Sequence, residues 1–180
     1  EAVAVVLLVD FVSGMVHWAE DTFGTENTPL FGSWIVKPNM LHHRHGAAFA
    51  QNTWLQSSWD LLAAGVAIVL AAWLAGVLTW HIWLFVLIGI NANQIHKWNH
   101  MHRSKVPLCV RMLQRFHVLQ SLRHHVMHHR GDKNSRYCVI TVIVNPVLDG
   151  LGWWRALERV FVPLLDAPRR ADLSNLRVSA

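Results

Sequence analysis

An apolar stretch from Trp59 to about Gln94 limits the fold of this chain more than any other feature. It contains no Lys, Arg or Glu, and its one acidic residue, Asp60, lies at its start. At about 1.5 Å per helical residue, the stretch is long enough for two membrane crossings. We expect the turn between them around Gly76 and residues 79–81. A buried hairpin of a soluble protein is the alternative, but neither half has the polar face that such a hairpin needs.

The composition also indicates a membrane protein. Hydrophobic residues make up 53% of the chain and charged residues only 15%, which is too apolar for an ordinary soluble domain. A further apolar helix is predicted from Ala2 to about Trp18. It begins at the first residue, so either an earlier segment precedes it or it is itself a start-proximal membrane helix. We find no basic region or cleavage pattern of a signal peptide.

These features predict an all-α integral membrane protein with one domain over residues 1–180 and about three transmembrane helices. The expected parts are an apolar helix at about 2–18, a His-containing loop at 19–58, a membrane hairpin at about 59–98 and a His-rich helical cap at 99–180. Of sixteen Lys and Arg, only Lys37 and Arg44 precede Lys97. Positive residues favour the cytoplasmic side, so we expect the cap and the His loop there.

The net charge of +5 does not indicate a nucleic-acid partner, because no binding motif accompanies the basic residues. Anionic lipid headgroups are the expected partner of these charges. Cys109 and Cys138 are far apart and form no CxxC motif, so neither a disulfide framework nor a zinc ribbon is predicted. We expect both to be buried thiols.

Histidine carries the chemical signal, with thirteen in the chain and the densest run, HHVMHH, at residues 124–129. On a helix His125, His128 and His129 share a face, while His124 is turned partly aside. Neutral imidazole is a good ligand for iron, zinc, copper or nickel. A solvated basic face is the alternative for one such pair, but further pairs at ligand spacing favour a metal.

The first helix carries a polar stripe of Asp10, Gly14, His17 and Asp21 at spacings of four, three and four residues. Polar groups on an apolar membrane helix are costly unless they serve a function. His17 is therefore a candidate ligand. Asp21, one turn later, is a second ligand, the acceptor that orients an imidazole, or simply a helix-end charge.

Two further His pairs are expected at the same membrane boundary. His42 and His43 are adjacent and point about 100° apart on a helix, so they address either two metals or one metal from a bent backbone. His45 follows as a surface residue. His96 and His100 lie one turn apart at the end of the hairpin, and Asn93 shares their face.

Eight imidazoles exceed the needs of one metal ion, because a structural zinc takes four protein ligands and a catalytic zinc usually three. Two metal ions are the simpler interpretation. The Glu-x-x-His pattern of soluble di-iron bundles is missing. An all-histidine site at a membrane boundary is instead typical of integral-membrane desaturases and hydroxylases.

Long stretches resemble one family nearly end to end. They are DFVSGMVHWAEDTFG from Asp10 to Gly24, the pair at residues 42–43, NQIHKWNH from Asn93 to His100, HHVMHH, and YCVITVIVNPVLDGLGWWRALE from Tyr137 to Glu158. The chain resembles the plasmanylethanolamine desaturase family of lipid desaturases (Kua or CarF type), which is related to a plastid phosphatidylglycerol desaturase. The resemblance implies these ligands of a di-iron centre: His17, His42, His43, His96, His100, His125, His128 and His129.

The resemblance also ranks other residues. Asp21 matches the family. Asp21, Asn93, His117 and His124 are candidates for hydrogen-bonding the ligands or for binding metal themselves, although His117 and His124 match the animal enzymes and not the plastid relative. His81 and His102 fall outside the pattern. Where the family typically has HHxxP, this chain has Arg44, His45 and Gly46 after the His pair, and an Asn of the animal enzymes is replaced by Ser58. His45 and Ser58 are thus expected in the loop nearest the substrate.

The implied reaction is an O2-dependent desaturation that forms the vinyl ether of a plasmalogen from a plasmanyl lipid. Residues 104–107, SKVP, resemble the plastid relative as much as they resemble the animal enzymes. An acyl-chain desaturase acting on phosphatidylglycerol is therefore the alternative. Electrons are expected from a cytochrome b5 or ferredoxin-type donor, with Arg111, Arg115 and Arg123 as docking candidates or, equally, lipid-headgroup contacts.

Two hypotheses of other classes remain. A non-enzymatic metal or haem carrier would bind metal without lipid turnover. A membrane zinc hydrolase would use Asp21 or Glu20 as general base, but the chain has no HExxH motif and half of the histidines would have no role.

Overall fold

The computed structural model describes residues 1–130 and 134–167, and within them the chain is helical, without a strand longer than one isolated antiparallel bridge between Leu119 and Thr141. A π-helical turn at Gly32–Val36 leads into the second helix. The α-helices are α1 Ala2–Phe23, α2 Lys37–Arg44, α3 Gly46–Phe49, α4 Trp54–Leu74, α5 Trp80–Gly89, α6 Ala92–Trp98, α7 Leu108–Arg115, α8 Leu122–His129, α9 Val144–Gly150 and α10 Trp153–Leu165.

Helix α1 is longer than the sequence predicted, because it continues to Phe23 instead of ending near Trp18. Its polar stripe faces inward, since Asp10, Gly14, His17 and Asp21 are all buried. The opposite face exposes apolar side chains such as Leu8 and Val16, which is the pattern of a helix that presents an apolar face to lipid.

The predicted hairpin is present, but its two halves differ. Helix α4 starts five residues early, where Thr53 and Gln56 form a capping box, and the turn after it contains Gly76 at a φ of +69°. The second half is divided at Ile90 and Asn91 into α5 and α6. Asn91 Nδ2 donates a hydrogen bond to the Leu87 carbonyl at 2.9 Å, and Asn91 Oδ1 accepts one from Trp54 Nε1 at 3.0 Å.

Within the described residues, two helices are long and apolar enough to cross a membrane, α1 and α4. Helix α5 is apolar but has only ten residues. The segment predicted as the third span is thus divided into two shorter helices, and a third membrane crossing stays a prediction. The consequence of this division is that α6 can orient His96 independently of the direction of α5.

A non-helical segment at residues 137–141 is packed along α1. The buried Asp10 carboxylate accepts hydrogen bonds from Ile140 N at 2.8 Å, Thr141 N at 3.0 Å and Thr141 Oγ1 at 2.6 Å. Gly14 allows the close approach, because a Cβ there would lie 2.5 Å from Cys138 Sγ. These bonds satisfy backbone groups that neither a helix nor a sheet satisfies.

Part of the predicted cap thus belongs to the core. Tyr137, Cys138 and Trp154 pack in one cluster with Trp18 of α1, and residues 168–180 of that predicted region lie outside the described residues. The expectation of two buried thiols is half correct. Cys138 is buried, whereas Cys109 on α7 is exposed, because α7 turns only one edge toward the protein.

Candidate metal centre

Nine side chains from four helices and one turn converge in two adjacent groups, and they include all eight predicted histidines. Within each group the potential ligand atoms lie within 4.8 Å of one another. The five-histidine group consists of His42, His96, His100, His125 and His129. The aspartate group consists of His17, Asp21, His43 and His128.

Helical geometry explains how neighbouring residues enter different groups. His42 and His43 of α2 point about 100° apart, and their ring centroids are 4.3 Å apart across the boundary between the groups. On α8, His125 and His129 are four residues apart and share a face. The third histidine of that helix, His128, instead faces α1, where its ring centroid lies 4.6 Å from that of His17.

The five-histidine group brings Nε2 atoms together at hydrogen-bond distance. His125 Nε2 lies 2.8 Å from His96 Nε2, 3.0 Å from His100 Nε2 and 2.8 Å from His129 Nε2. A neutral imidazole carries one N–H, so a single hydrogen on His125 cannot bridge three nitrogens. A cation between these nitrogens would account for this convergence of lone pairs.

Burial keeps these imidazoles in the neutral form that a metal requires. Burial lowers the pKa of His100 to about 4. The pKa values of His42 and His125 are also lowered, first by burial and then by repulsion between neighbouring imidazoles. Their lone pairs are therefore available near neutral pH.

The aspartate group shows the outer hydrogen bonds typical of metal-bound histidines. His17 Nδ1 donates to the Tyr137 carbonyl at 3.0 Å, and His128 Nδ1 donates to the Ser135 carbonyl at 2.7 Å. Each bond fixes a tautomer whose Nε2 carries a lone pair. Both Nε2 atoms are buried without a hydrogen-bond partner.

Asp21 lies at the centre of this second group. Its Oδ2 is 3.5 Å from His17 Nε2 and 3.3 Å from His128 Nε2, and its Oδ1 is 3.0 Å from His43 Nε2. Asn39 Nδ2 donates to Oδ1 at 2.8 Å. Since the Nε2 lone pairs of His17 and His128 would repel Asp21 Oδ2, the arrangement fits a cation between these three side chains. Imidazole with one carboxylate suits iron, zinc, copper or nickel.

A cavity of about 580 Å³ opens beside the two groups. His17 of the aspartate group and His42 and His96 of the five-histidine group contribute to its wall. The largest apolar part of the wall comes from α1, α4, α5 and the residue after α5: Val9, Val12, Val16, Leu61, Ala64, Ile68, Phe85, Val86 and Ile90. Polar side chains, among them Glu20, Asp60 and Asn39, line the remainder. Its volume lies in the range of about 300–1,000 Å³ that is typical of small-molecule sites.

The residues predicted to support the ligands do not all reach the two groups. Asn93 lines the cavity, and its amide donates to the Ser57 carbonyl at 2.6 Å, which joins α6 to α4. His124 is half-buried and lies 3.4 Å from Asn145 Nδ2, outside both groups. His117 is exposed at a φ of +59° and is likewise in neither group.

The two predicted substrate-loop residues have different positions. His45 is exposed and lines the cavity. Ser58 is fully buried, and its Oγ has no hydrogen-bond partner. Its neighbour Ser57 contributes to the cavity wall instead.

Sequence reasoning did not identify Asn39, which supports Asp21, or Phe49, whose ring lies 5.3 Å from that of His96 and 5.6 Å from that of His42. Asn39 precedes His43 by four residues, so it shares a helical face with that ligand candidate. This spacing was the available signal. The carbonyls of Tyr137 and Ser135 have no sequence signal, because any residue carries one.

Over residues 1–130 and 134–167 the chain is helical, with two long apolar helices, two buried histidine groups and an apolar cavity. These are features of a membrane-associated enzyme with a metal centre. The chain belongs to the lipid desaturase family: residues 6–172 match the family model described as the lipid desaturase domain.

Curated relatives agree with this assignment. The chain is 31% identical to mouse (Mus musculus) plasmanylethanolamine desaturase 1, over 94% of this chain and 67% of the relative. It is 32% identical to the Arabidopsis thaliana chloroplastic fatty acid desaturase 4-like 2, over 91% and 60%, respectively. It is 30% identical to the Myxococcus xanthus plasmanylethanolamine desaturase, over 86% and 57%. The chain thus spans about three fifths to two thirds of these relatives' lengths. No solved structure matches it.

Proposed function

We propose that the chain is an O2-dependent di-iron lipid desaturase that forms the vinyl-ether double bond of plasmalogens in a plasmanyl phospholipid. The observation that carries the proposal is the shared cavity wall. His17 from one group and His42 and His96 from the other border the same apolar space. An alkyl chain in that cavity would lie against both groups.

The two groups would hold one iron each, through imidazole nitrogens and, in the aspartate group, through Asp21. Iron bound there would supply the activation of O2 and the removal of hydrogen from two adjacent carbons of the lipid chain. For each double bond formed, two electrons from an external donor and two protons complete the reduction of O2 to two molecules of water.

The residues of the chain provide the surroundings for this chemistry. The carbonyls of Tyr137 and Ser135 orient His17 and His128, and Asn39 holds the Asp21 carboxylate. The apolar wall excludes water from the reacting carbons, which prevents side reactions of an oxidising centre. We place the site on the cytoplasmic side of the membrane, where cytochrome b5 or a ferredoxin-type protein supplies the electrons.

An acyl-chain desaturase acting on a phospholipid such as phosphatidylglycerol is the second candidate. The observation that favours it is the level of identity, because the Arabidopsis relative named as a fatty acid desaturase matches as well as the mouse plasmanylethanolamine desaturase. Both candidates use the same metal centre and differ in the lipid that occupies the cavity.

Metal analysis and lipid mass spectrometry test the proposal. The purified protein should contain two irons per chain, and cells that lack their own enzyme should gain a lipid with two hydrogens fewer when they express it. His100→Ala affects the five-histidine group and His128→Ala the aspartate group. Each should lose about one iron and abolish the product, because ligand loss opens one of two metal sites.

His102→Ala is the matched control, since His102 is exposed and lies in neither group. It should retain both irons and the product. Full product from His100→Ala or His128→Ala would refute the di-iron assignment, and zinc in place of iron would favour a hydrolase. Iron without any lipid product would favour a metal carrier. The structure of the product, vinyl ether or acyl olefin, distinguishes the two desaturase candidates.

A further inference from the structure

Helix α7 lies in a stretch of the chain whose Arg and Lys side chains are not part of the metal centre. Residues 99–130 contain no Asp or Glu. Their positive residues are Arg103, Lys105, Arg111, Arg115, Arg123 and Arg130. A surface of one sign over this length attracts a partner of the opposite charge.

One edge of α7 packs against the protein. Val110 on that edge is 5% exposed. One turn later, Gln114 Nε2 donates to Asn99 Oδ1 at 3.1 Å and to the Gln120 carbonyl at 2.9 Å. These contacts fix the rotation of the helix, so the directions of its other two faces are known.

The second face of α7 is apolar and exposed. It consists of Leu108, Cys109, Met112 and Leu113, with Phe116 directly after the helix, and it spans about 140° of the helical wheel at 100° per residue. Leu108 and Phe116 are 66% and 68% exposed. Single exposed apolar residues are ordinary, but a continuous apolar face marks an interaction site.

The third face is basic. Arg111 and Arg115 lie four residues apart and therefore share an edge beside the apolar face. A helix with an apolar face bordered by Arg or Lys is the form that lies in the plane of a membrane surface. With only eight residues, α7 is too short to cross the bilayer.

We propose that α7 is an in-plane helix that binds the surface of a bilayer containing anionic lipid, with Met112, Leu113 and Phe116 among the acyl chains. Arg111 and Arg115 contact lipid phosphates through side chains that extend to the interface. A soluble acidic protein would complement only the charge of the two arginines. An anionic bilayer complements both the arginines and the apolar face, which packs among acyl chains. The proposal requires insertion of α1 and α4 in the membrane but not the desaturase reaction.

Depth-dependent fluorescence quenching tests this placement in the full-length chain. The protein is reconstituted in phosphatidylcholine vesicles with or without phosphatidylglycerol. An environment-sensitive probe is attached through Met112→Cys in a Cys109→Ser background, where buried Cys138 stays unlabelled. Asn27→Cys in the same background is the matched control, since Asn27 is exposed in a polar loop.

The probe at position 112 should be quenched by lipids with spin-labelled acyl chains and protected from aqueous iodide. The probe at position 27 should show the reverse. Exchanging Arg111 and Arg115 for Gln should weaken lipid quenching at position 112 only when phosphatidylglycerol is present. At low salt, the equilibrium between lipid-bound and water-exposed helix should change roughly fivefold per arginine.

Equal iodide quenching at positions 112 and 27 would overturn the proposal. So would protection of position 112 that requires an added acidic redox protein, because the surface would then be a protein docking site. An equal loss of lipid quenching in both kinds of vesicle would show that the two arginines stabilise the fold of α7 instead of binding headgroups.

Discussion

Asp10→Ala should destabilise the protein by disrupting the contact between α1 and residues 137–141. The carboxylate is fully buried and accepts three hydrogen bonds, two from the backbone and one from Thr141 Oγ1. Its loss leaves three buried donors without an acceptor, at about 1–3 kcal/mol each. Even the low end of that range gives about 3 kcal/mol of lost stability, which lowers Tm by about 6–12 °C for a chain of this size.

Two milder variants test that magnitude. Asp10→Asn keeps one acceptor oxygen but places an amide N–H against a backbone donor, so it should fall between the wild type and Asp10→Ala. Thr141→Val removes only the hydroxyl and leaves both backbone bonds to the carboxylate, so it should cost about 1 kcal/mol. The expected order of Tm is therefore wild type, Thr141→Val, Asp10→Asn and Asp10→Ala.

The assay is thermal unfolding in detergent micelles, followed by near-ultraviolet circular dichroism, with bound metal measured in parallel. Metal content should also fall in Asp10→Ala, because the segment that Asp10 holds carries the Tyr137 carbonyl that orients His17. A Tm for Asp10→Ala no lower than that of Thr141→Val would refute the reasoning. It would mean that apolar packing, and not the carboxylate, holds this segment.

Two further predictions concern the same contact and the two thiols. Gly14→Ala should lower Tm, because its Cβ would lie 2.5 Å from Cys138 Sγ and overpacking costs about 1–3 kcal/mol. Gly150→Ala is the control and should leave Tm unchanged, since a Cβ there would have nothing within 4 Å. Equal changes in Tm for the two variants would contradict the Gly14–Cys138 contact. A maleimide should modify Cys109 in the folded protein and Cys138 only after denaturation, because burial raises the pKa of the Cys138 thiol; mass spectrometry showing two modified thiols in the folded protein would disprove this.

The histidine positions could be predicted because their information is local. Spacings of three and four residues determine which side chains share a helical face, and His96 with His100, or His125 with His129, follow from spacing alone. The convergence of these pairs could be predicted because each lies at or near an end of an apolar segment. Helix α1 and the hairpin were predictable for the same reason.

The remaining features depend on long-range contacts. The break at Asn91 ends a helix inside an apolar run, where the spacing of apolar residues does not indicate a helix end. Residues 137–141 are apolar enough for a strand or a helix, and their course is determined by Asp10, about 130 residues earlier in the chain. The assignment of His42 and His43 to different groups also required the packing of α2 against α1 and α8.

The role of Asp21 shows how atomic positions decide between two interpretations of one spacing. A carboxylate that merely orients a metal-bound histidine accepts from the ring nitrogen opposite the metal. In His17 and His128 that nitrogen is Nδ1, and backbone carbonyls already accept from it. Asp21 Oδ2 instead faces the Nε2 atoms of both rings. The carboxylate is therefore on the side where a cation would bind, which favours a ligand role and makes the two groups chemically unequal, one neutral and one with a negative charge.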